Sequence, residues 1–363
     1  MRLIDNRLRL VGGVRYERTS DDGLGPRDEI GATYRKNADG SLALGANGAP
    51  IPLSTDALTV ARLRYQRLGS RTEKSYDGYF PSLNSSFELT ERLVMRAAYA
   101  RTIGRPDFAE IIPSVIAADP TAAEANRIVT VINTGLRPWR ADNFDLTLEA
   151  YEVKGAVASV SLFRKDVIDF YAQTRADATP ELLAELGLPN EYLGYDIVTK
   201  RNSGKAVLDG VEVSYRQSLD AFLPWARGVQ AYANFTAMEV NGNNANDFTN
   251  FVPFTLNFGA RYAGRRLQID VSATQFSERR ILRAAATATV GAGSYTYNPS
   301  QSKVDASIEY RLHRRLSVFA SARNLNATPL RRGTWAPETP GNARIDQYQY
   351  TGAMFTLGMK GSY

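Results

Sequence analysis

The chain carries one histidine, His313, and no cysteine. The missing thiols remove disulfides, thiolate zinc sites and cysteine nucleophiles together. His313 stands beside Arg314 and Arg315, with no serine, carboxylate pair or metal-ligand pattern at a useful spacing. General acid–base, nucleophilic and metal-assisted chemistry therefore lack their groups, and the sequence reads as neither an enzyme nor a metal or cofactor protein. Recognition chemistry remains, in segments between the patterned stretches: Tyr192 and Tyr195, then Arg279, Arg280 and Arg283, then Arg331, Arg332, Trp335 and Tyr348. Guanidinium forks suit an anionic chelate or a carboxylate, and aromatic faces suit a sugar or a catecholate ring. The competing reading of each residue is an arginine meeting phosphate or plain water, since exposed charges are usually solvated.

These residues need a scaffold, and the scaffold signal is alternation. Leu267, Ile269, Val271 and Ala273 share one face against Gln268, Asp270, Ser272 and Thr274; Val304 to Arg311 and Phe254 to Tyr262 repeat the period. Weaker versions occupy 8–17, 83–89, 93–101, 144–151, 156–163, 211–216, 229–237, 316–323 and 351–363, giving twelve strands in all. The chain has 363 residues, 44% hydrophobic and 23% charged, which excludes disorder and allows one large all-β unit. Nowhere is there a run of roughly 18 to 20 apolar residues that would make a membrane helix, but barrel strands alternate and escape that test. The formal charge of +6 is spread along the chain without a compact basic run, which argues against nucleic acid as a partner.

The connections sort into two kinds. Short links fall at 90–92, 154–155, 220–227, 263–266 and 312–315, and long ones near 19–78, 102–142, 171–205, 241–252, 277–301 and 327–349. Tight turns at one end and large loops at the other are the layout of an antiparallel up-and-down transmembrane β-barrel, with periplasmic turns and extracellular loops. Interfacial aromatics should then ring both ends of the lipid face. Phe87, Tyr215, Tyr262, Tyr310 and Tyr363 sit at the short-turn ends, and Tyr16, Tyr99, Phe144, Phe235, Phe254 and Phe355 at the long-loop ends. Inward charges such as Asp145, Glu149, Arg261, Asp270 and Glu309 predict a polar wall that pairs charges across strands. Thr179 to Gly187 reads as a short surface helix with an N-cap, a proline at its first position and a closing glycine, and a second helix is expected near Pro120 to Asn126.

The strands and their order carry a resemblance. Gly78-Tyr79-Phe80-Pro81-Ser82-Leu83-Asn84, Tyr99-Ala100-Arg101-Thr102-Ile103-Gly104-Arg105-Pro106-Asp107-Phe108, the Asn133 to Leu146 segment with its Pro138 and Asp142, Gly210-Val211-Glu212, Asn324-Leu325-Asn326 and the final Phe355 to Tyr363 together resemble the barrel of the TonB-dependent receptors. The resemblance covers nearly the whole of residues 1–363 and is to the carboxy-terminal part of a barrel of about 22 strands. It implies active uptake of a scarce ligand such as siderophore-iron, cobalamin or an oligosaccharide across the outer membrane. It further implies outer-membrane lipid and lipopolysaccharide as surroundings, a TonB complex engaged through an amino-terminal part with its plug, and barrel-assembly machinery reading the last strand up to Tyr363. The segment Met1 to Arg7 lacks the features of a secretory signal, so signal and plug are expected outside this sequence. A self-contained twelve-stranded passive channel is the alternative. With two unpaired edges, an open, curved sheet is expected unless the twelve strands close on themselves.

Overall fold

The computed structural model describes residues 2–119, 127–186, 188, 190–242, 249–284, 290–291 and 293–361. Its strands, in chain order, are β1 (Arg2–Leu3), β2 (Leu8–Asp28), β3 (Tyr65–Thr90), β4 (Leu93–Gly104), β5 (Val115–Ala117), β6 (Ile128–Val131), β7 (Trp139–Val153), β8 (Ala156–Asp177) and β9 (Asp196–Ser218). They continue with β10 (Val229–Asn241), β11 (Phe254–Ala263), β12 (Leu267–Phe276), β13 (Arg279–Arg283), β14 (Tyr295–Asn298), β15 (Gln301–His313), β16 (Leu316–Arg323), β17 (Leu330–Trp335), β18 (Gln347–Gln349) and β19 (Met354–Gly361). The helices are α1 (Ala57–Arg64), α2 (Phe108–Ile111) and α3 (Pro180–Glu185). Each of the twelve expected strands is present, and they run as an antiparallel meander within a fifteen-stranded sheet. Among the described residues no helix is long and apolar enough to cross a membrane.

Register turns the period of two into two faces. One row crosses eight strands as Leu8, Phe87, Met95, Leu148, Val160, Val213, Phe235 and Leu256. A row on the other face reads Glu149, Ser159, Ser214, Asn234, Asn257, Thr274 and Lys303. The apolar row is not a protein core: Phe258 keeps 48% and Ile308 44% of its surface, and Ile269 is half-buried. On the polar face, Arg96 meets Glu149 at 2.9 Å, Arg261 meets Asp270 at 2.8 Å and Lys360 meets Glu309 at 2.6 Å, the expected cross-strand pairing. Among the described residues β19 pairs with β16 alone, and no pairing joins it to β2, so the sheet is open at that edge. A closed twelve-stranded channel would need that pairing.

The long links 19–78 and 171–205 are corrected. β2 and β3 stay paired out to Asp28 and Tyr65, and β8 and β9 out to Asp177 and Asp196, so both links begin and end as the arms of a tall hairpin, with the non-hairpin remainder at the tip. Beyond Glu17 the first adds eleven residues of β2, about 37 Å at the usual rise of a strand. The lower part of the first added stretch is polar on both faces, as in Thr19-Ser20-Asp21-Asp22. The link between β4 and β7 also holds structure. Its β5 pairs parallel with the tip of β2, its β6 pairs parallel with the tip of β9, and the two pair with each other, tying the hairpins together. Gly25 is required there, because a Cβ would overlap the Pro113 carbonyl.

Burial gathers in this loop region. Val129, Leu182, Leu183, Leu188 and Ile197 form a small core with Val115 and Leu186 packed on it. The expected surface helix is accordingly corrected: α3 is capped by the Thr179 hydroxyl, which accepts from the Leu182 amide at 3.2 Å, but it buries Leu182 and Leu183. Gly187 and the expected helix at Pro120 to Asn126 lie outside the described residues. A separate four-stranded sheet, ordered β13-β14-β17-β18, is built from the last two long links. Asn324, in the left-handed region at φ 56°, closes its base by donating from its side-chain amide to the Thr328 and Gly352 carbonyls, each at 3.0 Å.

Candidate functional site

The four-stranded sheet collects seven of the nine recognition candidates. Arg279 and Arg280 lie on β13, Arg331, Arg332 and Trp335 on β17, and Tyr348 on β18. Arg283 is also on β13, but its side chain is outside the described residues. A continuous aromatic step runs through the middle. The Arg280 guanidinium lies 4.9 Å from the Tyr295 ring, Tyr295 sits edge-on to Tyr297 at 6.4 Å, and Tyr297 stacks on Trp335 at 4.1 Å with planes 12° apart. Arg344 completes it, 5.9 Å from the Trp335 ring and held by donating to the Thr339 carbonyl at 2.9 Å. Strand geometry explains the order: Tyr295 and Tyr297 are two apart on β14 and so share a face.

A cleft of ≈ 640 Å³ opens against this step, walled by Phe251, Pro253, Glu278, Arg280, Tyr295 and Tyr297. Burial pushes the Tyr297 phenol above its ordinary value; Arg280 opposes the shift and Glu278 adds to it. An aromatic floor with a guanidinium at its edge can hold a flat group that carries negative charge. The remaining candidates have other surroundings. Arg331 donates to the Ser300 carbonyl at 2.8 Å, which fastens β17 to the start of β15. Tyr348 is exposed and tilts against Tyr350 at 5.4 Å.

Tyr192 and Tyr195 stand apart from the loop sheet. Both are buried in the core around α3, edge to face at 5.5 Å, because an aromatic in a structured loop can be its core as readily as its contact surface. Tyr195 still contributes to a cavity of ≈ 1090 Å³ that Lys36, Ser41, Asn47, Arg127 and Asn190 also line. The residues that sequence reasoning missed are Tyr295, Tyr297 and Arg344. The alternation in Tyr295-Thr296-Tyr297 was the available signal, short and set inside a long link.

The aromatics assigned to the membrane interface lie in pairs on the apolar face. Tyr99 is 5.2 Å from Phe144 and Phe235 is 5.3 Å from Phe254, ring to ring, while Tyr16 meets Tyr79 at 5.0 Å. Immediately beyond Tyr99 and Phe144, that face turns charged: Arg101 pairs with Asp142 at 2.8 Å, and the Tyr99 hydroxyl donates to Asp142 at 2.8 Å. Tyr363 lies outside the described residues.

With the wall, its two faces and the loop sheet in place, comparison with known proteins is decisive on the family. The family model described as TonB dependent receptor-like, beta-barrel matches residues 1–325. The chain belongs to that family. In sequence it is similar to the ferric enterobactin receptor of Pseudomonas aeruginosa, 28% identical over 186 residues, which is 50% of this chain and 24% of that protein. In fold, this TonB-dependent-receptor-type chain is similar to a solved structure of the ferric enterobactin receptor from Pseudomonas aeruginosa, with TM-score 0.57 and 17% identity over 98% of this chain and 51% of that one. It is also similar to the copper transporter OprC, with TM-score 0.58 and 14% identity over 98% and 46%. The ferric-catecholate import receptor Fiu of E. coli K12 gives TM-score 0.56 and 16% identity over 98% and 42%. The chain spans about a quarter of the curated relative's length and about half of the solved ones.

Proposed function

We propose that the chain forms the carboxy-terminal part of the barrel of an outer-membrane receptor that takes up a scarce, chelated metal, with a ferric catecholate as the leading ligand class. One observation carries the membrane reading: the eight-strand apolar row is left uncovered while the opposite face pairs its charges internally. A sheet in water would cover the first, and lipid is the solvent that need not. From Tyr79 to Phe87, β3 offers eight residue steps, about 27 Å along the strand, which at the usual tilt of about 35–45° projects to about 20 Å, somewhat short of the roughly 25 Å apolar band of an outer-membrane barrel. In this reading Tyr16, Tyr99, Phe144, Phe235 and Phe254 sit at the outer interface, Phe87, Tyr215, Tyr262 and Tyr310 at the inner one, and the Arg101–Asp142 pair meets lipopolysaccharide head groups.

The ligand class is supported by the receptors this chain is similar to, for ferric enterobactin and ferric catecholate, and by the Arg280, Tyr295, Tyr297 cleft. A plug, a TonB-contacting segment and the remaining strands belong to the part of the receptor beyond this sequence. The barrel-assembly machinery reads β19, whose Phe355, Leu357 and Met359 project from one face of an unpaired edge. The test is uptake in strains with and without the intact gene, supplied with radiolabelled ferric enterobactin, cobalamin or maltohexaose. Loss of iron uptake alone is expected. Equal uptake of all three in the deleted strain overturns the proposal.

A further inference from the structure

The short-turn end of the wall is unevenly charged. Toward β2, β3 and β7 its turns balance in sequence, Asp5 with Arg7, Glu91 with Arg92 and Glu152 with Lys154. Toward β16 they do not. The links 219–228, 264–266 and 314–315 hold Arg227, Arg265, Arg266, Arg314 and Arg315 against one carboxylate, Asp220. These links adjoin: the Ala263 amide donates to the Gly228 carbonyl and the Arg311 amide to the Arg266 carbonyl, each at 2.8 Å. All five arginines are exposed, and among the described residues none of them forms an ion pair. Cations higher on the polar face differ, since Arg261 is held by Asp270 at 2.8 Å and Lys360 by Glu309 at 2.6 Å.

The first of these links also carries apolar surface. Gln217 follows Val213 and Tyr215 on the apolar face, yet it is buried. It accepts from the Tyr215 hydroxyl at 2.7 Å and donates to the Lys154 carbonyl at 3.0 Å and the Ser218 carbonyl at 2.7 Å. A Cβ on Gly155 would meet Ala221 at 3.2 Å and the Gln217 amide at 3.5 Å, and Ala226 is buried. The link 219–228 therefore folds back against the apolar face instead of hanging free below the wall. Two turns satisfy its backbone, with the Phe222 amide donating to the Leu219 carbonyl and the Ala226 amide to the Leu223 carbonyl. What it leaves outermost is apolar: Trp225 is 81% exposed, Phe222 61% and Leu223 41%. Leu312 and Leu316, at the feet of β15 and β16, extend exposed apolar surface along the same rim. Uncovered aromatic surface rimmed by cations marks an interaction surface, and tryptophan favours the boundary between acyl chains and head groups.

We infer that this sector of the rim binds anionic phospholipid of the inner leaflet, with Trp225, Phe222 and Leu223 at the acyl boundary and the five guanidinium groups over the phosphates. Guanidinium forks match phosphate oxygens, and basic residues beside a bilayer draw anionic lipid to themselves. The inference rests on the membrane reading of the wall and not on the transported ligand. The test uses the intact receptor purified in dodecyl maltoside and titrated with phospholipids brominated on their acyl chains. The Trp225 part of the quenching is read as wild type minus Trp225→Phe. Saturable quenching by brominated phosphatidylglycerol is expected, with brominated phosphatidylcholine needing at least about tenfold more lipid. Arg265→Gln, Arg266→Gln, Arg314→Gln and Arg315→Gln together should erase that preference, because each cation beside an anionic surface is worth about fivefold in binding. Lysine at the same four positions should keep most of it. Heat-modifiable gel migration verifies folding of each variant. Equal quenching by the two lipids, a preference that survives the four glutamines, or the lack of a Trp225 component overturns the inference, and the last result would leave the turn to a periplasmic macromolecule. A receptor that does not float with outer-membrane vesicles defeats the membrane reading as well, whereas one that floats without preferring phosphatidylglycerol defeats the rim site alone.

Discussion

Leu148 and Leu183 have the same side chain and opposite surroundings. Leu148, on β7, keeps 43% of its surface open on the apolar face, whereas Leu183, on α3, keeps 0% and sits among Val129, Ile197 and Tyr192. The wall therefore relies on an external apolar solvent, and the loop region relies on itself. Only the loop region is stabilised as a water-soluble protein is, by removing apolar surface from water into a close-packed interior. The wall draws its order from ladder hydrogen bonds and cross-strand pairs, and in the proposed receptor lipid fills the space beyond.

Paired substitutions can break that contrast. Leu183→Ala is expected to destabilise the loop core by about 2–5 kcal/mol, since a cavity remains that nothing refills. Hydrogen exchange over 178–197 should speed up while the wall amides stay protected. The same change at Leu148 should cost only about 1.5–3 kcal/mol as an upper bound, because acyl chains close the gap and no cavity term arises. Equal costs at the two sites, measured by urea unfolding in vesicles, would erase the distinction. Leu148→Lys is expected to cost about 2–4 kcal/mol near the bilayer midplane. Ser159→Lys, on the opposite face beside Glu149, should be close to neutral by the same assay.

Two smaller effects sharpen the loop side. Thr179→Ala removes the oxygen that accepts from the Leu182 amide and should loosen α3 by about 1 kcal/mol, seen as local exchange without global unfolding. Tyr297 is raised in the folded state, chiefly by burial, so between the unfolded and folded values the unfolded chain is the form that has lost its proton. Its contribution to the loop sheet is thus full below the ordinary tyrosine value of 10.0 and is lost as pH rises through the folded one. Absorbance of tyrosinate in wild type minus Tyr297→Phe should rise late, at more alkaline pH than for free tyrosine.

The sequence was legible where lipid enforced a rule. Ile269, Phe258 and Ile308 repeat at two because each faces the same apolar solvent, so the twelve strands could be read directly. Above the membrane that rule stops. The upper parts of β2 and β3 pair through Thr19, Ser20, Lys74 and Ser75, whose types suit a loop as well as a strand. The sites follow the same division. Arg280 and Trp335 are legible from residue type in a long link, yet their partners Tyr295 and Tyr297 come from a different strand, and only pairing brings them together. The burial of Tyr192 and Tyr195 is not legible from residue type, because one side chain serves interior and surface alike.

The parallel tie between the two tall hairpins has a consequence for assembly order. Val115 to Ala117 and Ile128 to Val131 precede β7 and pair with each other, but β6 finds its second partner in Asp196 to Thr199, far along the chain. Such non-local contacts close late, after the loop entropy they require has been spent. The clasp between β6 and β9 is therefore expected to close after the β8–β9 hairpin, and it fixes the spacing between the tips of the two tall hairpins.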